Sequence, residues 1–307
     1  MKITLNLTIA LIKIVMPIFK IEKSKAVQVS VKGNGFGSEF ELRDFFAENL
    51  EEILGVRFLE KEYQTTDGRI DTLGIDENDS PVIIEYKWKE NEEVLAQGLF
   101  YFDWLMKNKK HFELLVKNHF GQNAEINWEQ PRIILIARGF SRYIKAAVQR
   151  VGNVELKTYT LYDSDILHIE NEYSPIPEKA HTAKKEDKQS EKTEYNLDYH
   201  LNITSPAMKK SFNELRDMIL QLPSVEEKIG QKTGITYRTN KSFVRFEFRK
   251  DFIVVLLRDS KYPGDLKSQV KDITEHEWGY KGLFKFTVDV DLNYLFSLVK
   301  ASYDSTL

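Results

Sequence analysis

An α/β domain with a sheet flanked by helices, followed by a small α+β domain, is the architecture predicted by the 307-residue sequence. Three stretches carry that expectation. Gly68 to Lys87 reads as two short apolar runs around a polar turn, Asp76-Glu77-Asn78-Asp79-Ser80-Pro81, the composition of a β-hairpin. Pro131–Ala137 is a continuous apolar run, as in a strand covered on both faces. From Asn171 to Pro206 apolar side chains almost vanish, and helix and strand patterns resume beyond. The expected division is therefore a domain over 1–170, a flexible charged linker over 171–206 and a second domain over 207–307.

A chain of 307 residues gives each part enough length to bury a core. Hydrophobic content of 42% with 30% charged residues is ordinary for a soluble globular protein. The absence of cysteine excludes disulfides and thiolate metal sites and fits a reducing cytoplasm, the expected location. Six scattered histidines argue against a zinc site. A net charge of −3 counts against a broadly basic nucleic-acid binder but leaves room for a local basic groove.

In chain order, the apolar run Leu7–Phe19 is broken by Lys13 and Pro17 and is too short to span a bilayer, so no membrane partner is expected. No small-residue cleavage site follows it, which disfavours a secretory leader, and Met16 is an alternative start. Ile18–Val31 alternates apolar and charged residues and supplies one or two strands. Gly33, Gly35 and Gly37 form a loose loop without the strand–loop–helix context of a phosphate cradle. Ser38 opens a helix as its N-cap, with Glu41 three residues on completing a capping box and Leu42, Phe45, Phe46, Leu50, Ile53 and Leu54 as its apolar stripe. Glu39 lies in the first turn on the stripe side, either aimed at the hairpin or simply favoured by the helix dipole. Val56–Thr66 is the strand that precedes the hairpin.

The hairpin strands fall near Arg69–Ile75 and Pro81–Trp88. Alternation puts Arg69, Asp71, Leu73 and Ile75 on one face of the first strand. On the second, Ile83, Glu85 and Lys87 share a face while Val82, Ile84, Tyr86 and Trp88 take the other. If the faces match, two carboxylates and an ammonium converge beside apolar neighbours, which is costly unless they pair or hold a metal. Asp71 and Glu85 then suit Mg²⁺, with Lys87 beside it; the plainer alternative is a Glu–Lys pair with Asp71 on the rim.

Glu92–Phe120 carries a long helical pattern, with Val94, Leu95, Leu99, Phe102 and Leu105 on one face and Gln97 and Tyr101 on the flank. Lys107 and Lys110 belong to a basic stretch suited to phosphate contacts or to a solvated face. Arg138 and Arg142 follow the buried strand, where polar groups often meet a ligand. Val154–Tyr162 and Ile166–Glu170 close the domain. The second domain is expected to hold helices at Ala207–Leu222 and Leu292–Tyr303, with strands at Gly234–Arg238, Phe243–Arg249, Phe252–Arg258 and Leu283–Val290. Phe243, Phe246 and Phe248 with Arg245 and Arg249 read either as a base-stacking face or, for Phe246 and Phe248, which share parity, as core.

Asp71, a turn, then Glu85-Tyr86-Lys87 resembles the core of the PD-(D/E)xK, or restriction-endonuclease-like, nucleases, and more closely the archaeal NucS-type endonuclease domain. Ser38-Glu39-Phe40-Glu41-Leu42 with Asn49-Leu50 is similar to the first helix of that domain, where the spacing to Asn49 makes Glu39 the acidic match and Glu41 the second choice. Gln97 and Tyr101 resemble the Q-x-x-x-Y motif of the RecB-like branch. The resemblance runs roughly from Met16 to Glu170 and implies a mixed sheet flanked by helices. It further implies an endonuclease dependent on Mg²⁺ or Mn²⁺ that hydrolyses phosphodiester bonds of nucleic acid, DNA before RNA. Metal ligands would be Asp71, Glu85 and Glu39, with Lys87 catalytic and Gln97 and Tyr101 assisting. The competing expectation is a catalytically silent nuclease fold that binds nucleic acid or a protein partner. The second domain is then the surface for that partner or for a second copy of the chain.

Overall fold

The computed structural model describes residues 17–33, 35–88, 93–174, 195–275 and 279–307, without the side chains of 230 and 231. The apolar run before Pro17, the alternative start at Met16 and the middle of the expected linker lie outside the described residues.

The first part of the chain runs β1 (Ile18–Glu22), β2 (Lys25–Val29), α1 (Glu39–Glu48), α2 (Leu50–Leu54), β3 (Val56–Gln64), β4 (Arg69–Asp76), β5 (Pro81–Lys87), α3 (Glu93–Lys107), α4 (Lys109–Phe120), β6 (Arg132–Ala137), α5 (Arg142–Val148), β7 (Val154–Tyr162) and β8 (Ile166–Tyr173). β1 and β2 form a separate two-stranded hairpin, and β3 to β8 form one sheet in chain order. β3–β4–β5 are antiparallel, β5–β6–β7 parallel and β7–β8 antiparallel, so the sheet is mixed. The central strands β5 and β6 are buried along almost their whole length, as their near-continuous apolar sequences require. Val82, Ile84, Tyr86, Ile134 and Ile136 meet Leu42, Phe46 and Leu50 on one face. On the other, Leu73, Ile75 and Ile83 meet Tyr101, Leu105 and Phe112. Each such fully buried side chain contributes about 1.5–3 kcal/mol of transfer free energy.

Two expected helices are each broken in two, and an asparagine marks both breaks. Asn49 (φ −123°, ψ 17°) separates α1 from α2, and Asn108 (φ −115°, ψ 34°) separates α3 from α4. In both the side-chain amide turns back to the carbonyl four residues earlier, Phe45 at 2.8 Å and Trp104 at 2.7 Å. A side chain that competes for backbone groups in this way lets the chain leave helical geometry without stranding a carbonyl. The second segments then swing their apolar residues, Leu50 and Leu54 or Phe112 and Val116, onto the sheet.

The second part runs α6 (Leu197–Ile203), α7 (Pro206–Leu220), β9 (Glu226–Gln231), β10 (Gly234–Arg238), β11 (Ser242–Phe248), β12 (Ile253–Leu257), β13 (Lys271–Asp272), β14 (Gly282–Phe286) and α8 (Leu292–Asp304). Its antiparallel sheet has the order β13-β14-β12-β11-β10-β9, and α7 and α8 cover one face through Phe212, Leu215, Ile219, Leu295 and Leu298. Two expectations need correction. α6 and the end of β8 occupy both ends of the stretch read as linker, because Asn196 caps a short helix that buries His200 and Leu201. The base-stacking face is not formed: Phe243, Phe246 and Phe248 all lie in the second core, and Arg245 and Arg249 pair with Glu247.

The polar turn of the β4–β5 hairpin is buried against the second sheet. Glu77 accepts the Ser242 amide at 2.6 Å and pairs with Arg258, and Thr236 donates to Asn78 Oδ1 at 2.9 Å. Beside it, Glu155 of β7 takes Arg132 at 2.6 Å and Arg238 of the second sheet at 3.4 Å. Buried Lys157 donates to Asn240 at 3.2 Å. These charges lie where water is excluded, and every one has an opposite or a hydrogen-bonding partner.

Candidate active site

The site lies where β4 and β5 stop pairing. Their ladder runs from Ile75↔Pro81 to Thr72↔Ile84. Beyond it, side chains replace backbone partners: the Asp71 amide donates to Glu85 Oε1 at 3.2 Å, and the Tyr86 amide donates to Asp71 Oδ2 at 3.1 Å. Both carboxylates are thus drawn into the gap between the splayed strands, on the side of Leu73 and Ile83. Glu85 is fully buried, and its Oε2 has no hydrogen-bond partner.

Burial pushes the Glu85 carboxyl up to about 9, and the neighbouring charge of Asp71 adds to the effect. Asp71 is also raised, chiefly by burial, with the Tyr86 amide and Lys87 opposing. Two like-charged acids in a dry gap, one with an unsatisfied oxygen, form a donor set that a hard cation would complete. The residues present therefore fit a divalent ion held by Asp71 and Glu85.

Glu39 reaches this end of β5 from the first turn of α1. The N-cap positions it: Ser38 Oγ accepts the Glu41 amide at 3.1 Å, and Glu41 Oε2 accepts the amide of Gly37, one residue before the position a full capping box would use, at 2.8 Å. Glu41 is thereby committed to the cap. Glu39 instead accepts Lys87 Nζ and the Trp88 amide, each at 3.2 Å. It pairs with the lysine rather than joining the two carboxylates, and among the described residues no three His, Asp or Glu side chains are grouped to hold an ion. Lys87 itself is mostly buried at the strand end.

The remaining residues separate by place. Tyr101 is buried, and its hydroxyl accepts the Arg69 amide at 3.0 Å, which fixes the start of β4 two residues before Asp71. Gln97 is half-buried one helical turn earlier. Arg138 follows β6, whose Ala137 pairs with Lys87, and it donates to the Gly33 carbonyl at 3.2 Å, so it stands at the same sheet end. Arg142 lies over the Tyr143 ring at the start of α5. Lys107 and Lys110 sit at the α3–α4 corner, where Lys107 pairs with Asp103 at 2.6 Å. Sequence reasoning missed Trp88, whose amide holds Glu39 and whose indole donates to the Phe36 carbonyl at 2.6 Å. Only its position next to Lys87 signalled it.

Comparison with known proteins gives a family match over this stretch of the chain. Residues 38–126 match the model of the endonuclease NucS C-terminal domain, a span that contains Glu39, Asp71, Glu85, Lys87, Gln97 and Tyr101. The chain is 27% identical over 301 residues to an uncharacterised protein of Haemophilus influenzae, covering 92% of this chain and 98% of that one. A repair endonuclease from Pyrococcus abyssi is similar at 21% identity, with 39% of this chain and 45% of that chain covered and a TM-score of 0.27. An EndoMS structure in complex with double-stranded DNA is similar at 18% identity, with 46% and 64% covered and a TM-score of 0.28. The chain spans less than two-thirds of the length of these two solved proteins, and at such TM-scores they add nothing to the fold described above. No helix among the described residues is long and apolar enough to cross a membrane.

Proposed function

We propose that this chain is a divalent-metal-dependent endonuclease that hydrolyses phosphodiester bonds of DNA at the open end of the β4–β5 pair. The observation that carries the reading is the buried, unpartnered Oε2 of Glu85 across from Asp71. The NucS-type match over the same residues supports it.

Asp71 and Glu85 would hold Mg²⁺ or Mn²⁺, and Glu39, on the neighbouring helix end, would hold Lys87 beside them. When bound, the ion supplies polarisation of the phosphate and acidification of water. The rest is the work of the protein. Lys87 Nζ donates hydrogen bonds toward the phosphate oxygens and the attacking water, offsetting negative charge as it develops. Its mostly buried stem and the Glu39 carboxylate keep the ammonium from wandering, so little reorganisation is needed at the moment of reaction. Tyr101 anchors β4 so that Asp71 keeps its place, and Arg138 offers a guanidinium to the nucleic-acid backbone at the same sheet end.

The test is cleavage of single-stranded, duplex and branched DNA in Mg²⁺ by the wild type and by Lys87→Ala. Loss of a charge-stabilising donor is expected to slow cleavage by about 10²–10³-fold or more. Duplex affinity in EDTA should change only a few-fold. Equal cleavage by both proteins removes the enzyme reading, and binding without cleavage by either leaves a silent nuclease fold.

A further inference from the structure

We propose that the β1–β2 hairpin is a DNA-binding arm, a basic two-stranded ribbon that grips the duplex beside the candidate active site. The inference rests on the DNA reading above and deepens it.

Among the described residues the arm packs on almost nothing. Of its ten strand residues only Val29, at the base, is buried, while Phe19, Ile21 and Val27 are 52%, 80% and 46% exposed. An isolated two-stranded hairpin with an uncovered apolar side is marginal in water, so the sequence maintains it for a contact made elsewhere. Phe19 pairs with Gln28 and Ile21 with Ala26, which puts Phe19, Ile21 and Ala26 on one side of the ribbon. Lys23 and Ser24 form its tip with φ of 47° and 66°, the left-handed pair that matches the twist of a tight hairpin.

Charge identifies the partner. Residues 17–32 hold Lys20, Lys23, Lys25 and Lys32 against the single acid Glu22, a net of +3, whereas the whole chain carries −3. The remainder is therefore −6 (−3 less +3), and the arm is a concentrated basic feature on an acidic molecule. Lys20, which also pairs with Glu22 at 3.0 Å, and Lys25 lie with Val27 on the face opposite Phe19 and Ile21. Lysines on one face and at the tip suit the phosphates of a polyanion, and the apolar face suits contact with bases. Each strand of five residues spans about 16 Å, a size that a DNA groove admits.

Position ties the arm to the site. Its base is fastened to the end of β7: Val31 bridges Tyr162, the Asp163 amide donates to Ser30 O at 2.8 Å, and the Lys32 amide donates to Leu161 O at 2.8 Å. The loop that follows accepts Arg138 at Gly33 and the Trp88 indole at Phe36 before leading into Glu39. Duplex held by the arm thus lies next to Lys87.

The test uses the full chain and measures binding and cleavage separately. Affinity for a fluorescent duplex is measured in EDTA over a range of salt for wild type, for Lys20→Gln/Lys23→Gln/Lys25→Gln and for Phe19→Ser/Ile21→Ser, with circular dichroism confirming the fold. Loss of three phosphate contacts should weaken binding roughly ten- to hundredfold at moderate salt and flatten the slope of log K against log salt by about 2–3. The apolar pair should lose affinity with the salt slope retained. Unchanged affinity and slope in the lysine variant overturn the proposal. So does a shift in sedimentation from dimer to monomer in Phe19→Ser/Ile21→Ser with duplex binding intact, which assigns the arm to self-association. A wild type that binds through the arm but does not cleave leaves this proposal standing and removes the nuclease.

Discussion

Glu85 is the residue on which the site turns, because its ionisation is opposed by its surroundings. Burial holds its pKa up to about 9, against about 4.5 in the unfolded chain, so the folded state binds the extra proton. Stability from that proton is complete below about pH 4.5 and is lost as pH rises through about 9. Asp71 is raised as well and acts in the same direction. In EDTA the melting temperature should therefore fall between pH 6 and pH 9. Glu85→Gln should remove most of that fall, since a neutral amide has no charge to bury. Added Mg²⁺ at pH 8 should raise the melting temperature of the wild type, as any ligand selective for the folded state does, and leave Glu85→Gln unmoved. A wild-type curve flat in pH, or an equal Mg²⁺ shift in both proteins, contradicts the donor set described here.

At the scale of elements, the site is held by contacts between a strand and its neighbours. α3 places Tyr101 so that its hydroxyl takes the Arg69 amide, and Gly68 leaves room, since a Cβ there would stand 2.7 Å from that oxygen. Tyr101→Phe keeps the ring packed among Leu73, Ile83 and Leu105 but strands the amide, at a cost of about 1 kcal/mol. The start of β4, and with it Asp71, loses its fixed position. Cleavage should slow by up to about a hundredfold while duplex affinity in EDTA is retained. A variant with wild-type turnover reduces Tyr101 to a core residue. Gly74 is a second constraint on the same strand: a Cβ would lie 2.3 Å from Val56 Cγ1 and 2.8 Å from the Arg57 carbonyl. No side chain fits where β3 bulges against β4.

Across the whole molecule, the two sheets are joined through charges that neither could bury alone. Burial would raise the Glu155 carboxyl, but Arg132, Arg238 and Lys157 outweigh it and hold it well below the usual range. Burial in turn pushes Lys157 down to about 8. A depressed carboxyl contributes stability that is present above about pH 4.5 and lost as pH falls through the lower folded value. Glu155→Gln leaves Arg132 and Arg238 facing a neutral amide in a dry interface, and roughly 3–5 kcal/mol should be lost. Calorimetry should show one transition for the wild type and two, or one much lower, for the variant. An unchanged single transition means that the sheets are coupled elsewhere.

What the sequence by itself determined is what neighbours along the chain decide. Alternation put Asp71 in phase with Leu73, and Glu85 in phase with Ile83; the splayed strand ends then brought the two carboxylates together. Ser38 and Glu41 announced the cap that starts α1 at Glu39, and strands such as Val154–Tyr162 and Gly234–Arg238 carry the extents their patterns predict. Tertiary structure alone decided which polar residues became interior. The turn at Glu77 and Asn78 reads only as a polar turn, yet Ser242, Thr236 and Arg258 bury it from more than 150 positions away. The Phe243–Phe248 strand reads as core, with a base-facing surface as the alternative, until α7 and α8 cover it. Periodicity encodes a side chain's direction relative to its own backbone, whereas burial depends on what arrives on that side from distant segments, and local pattern does not record it.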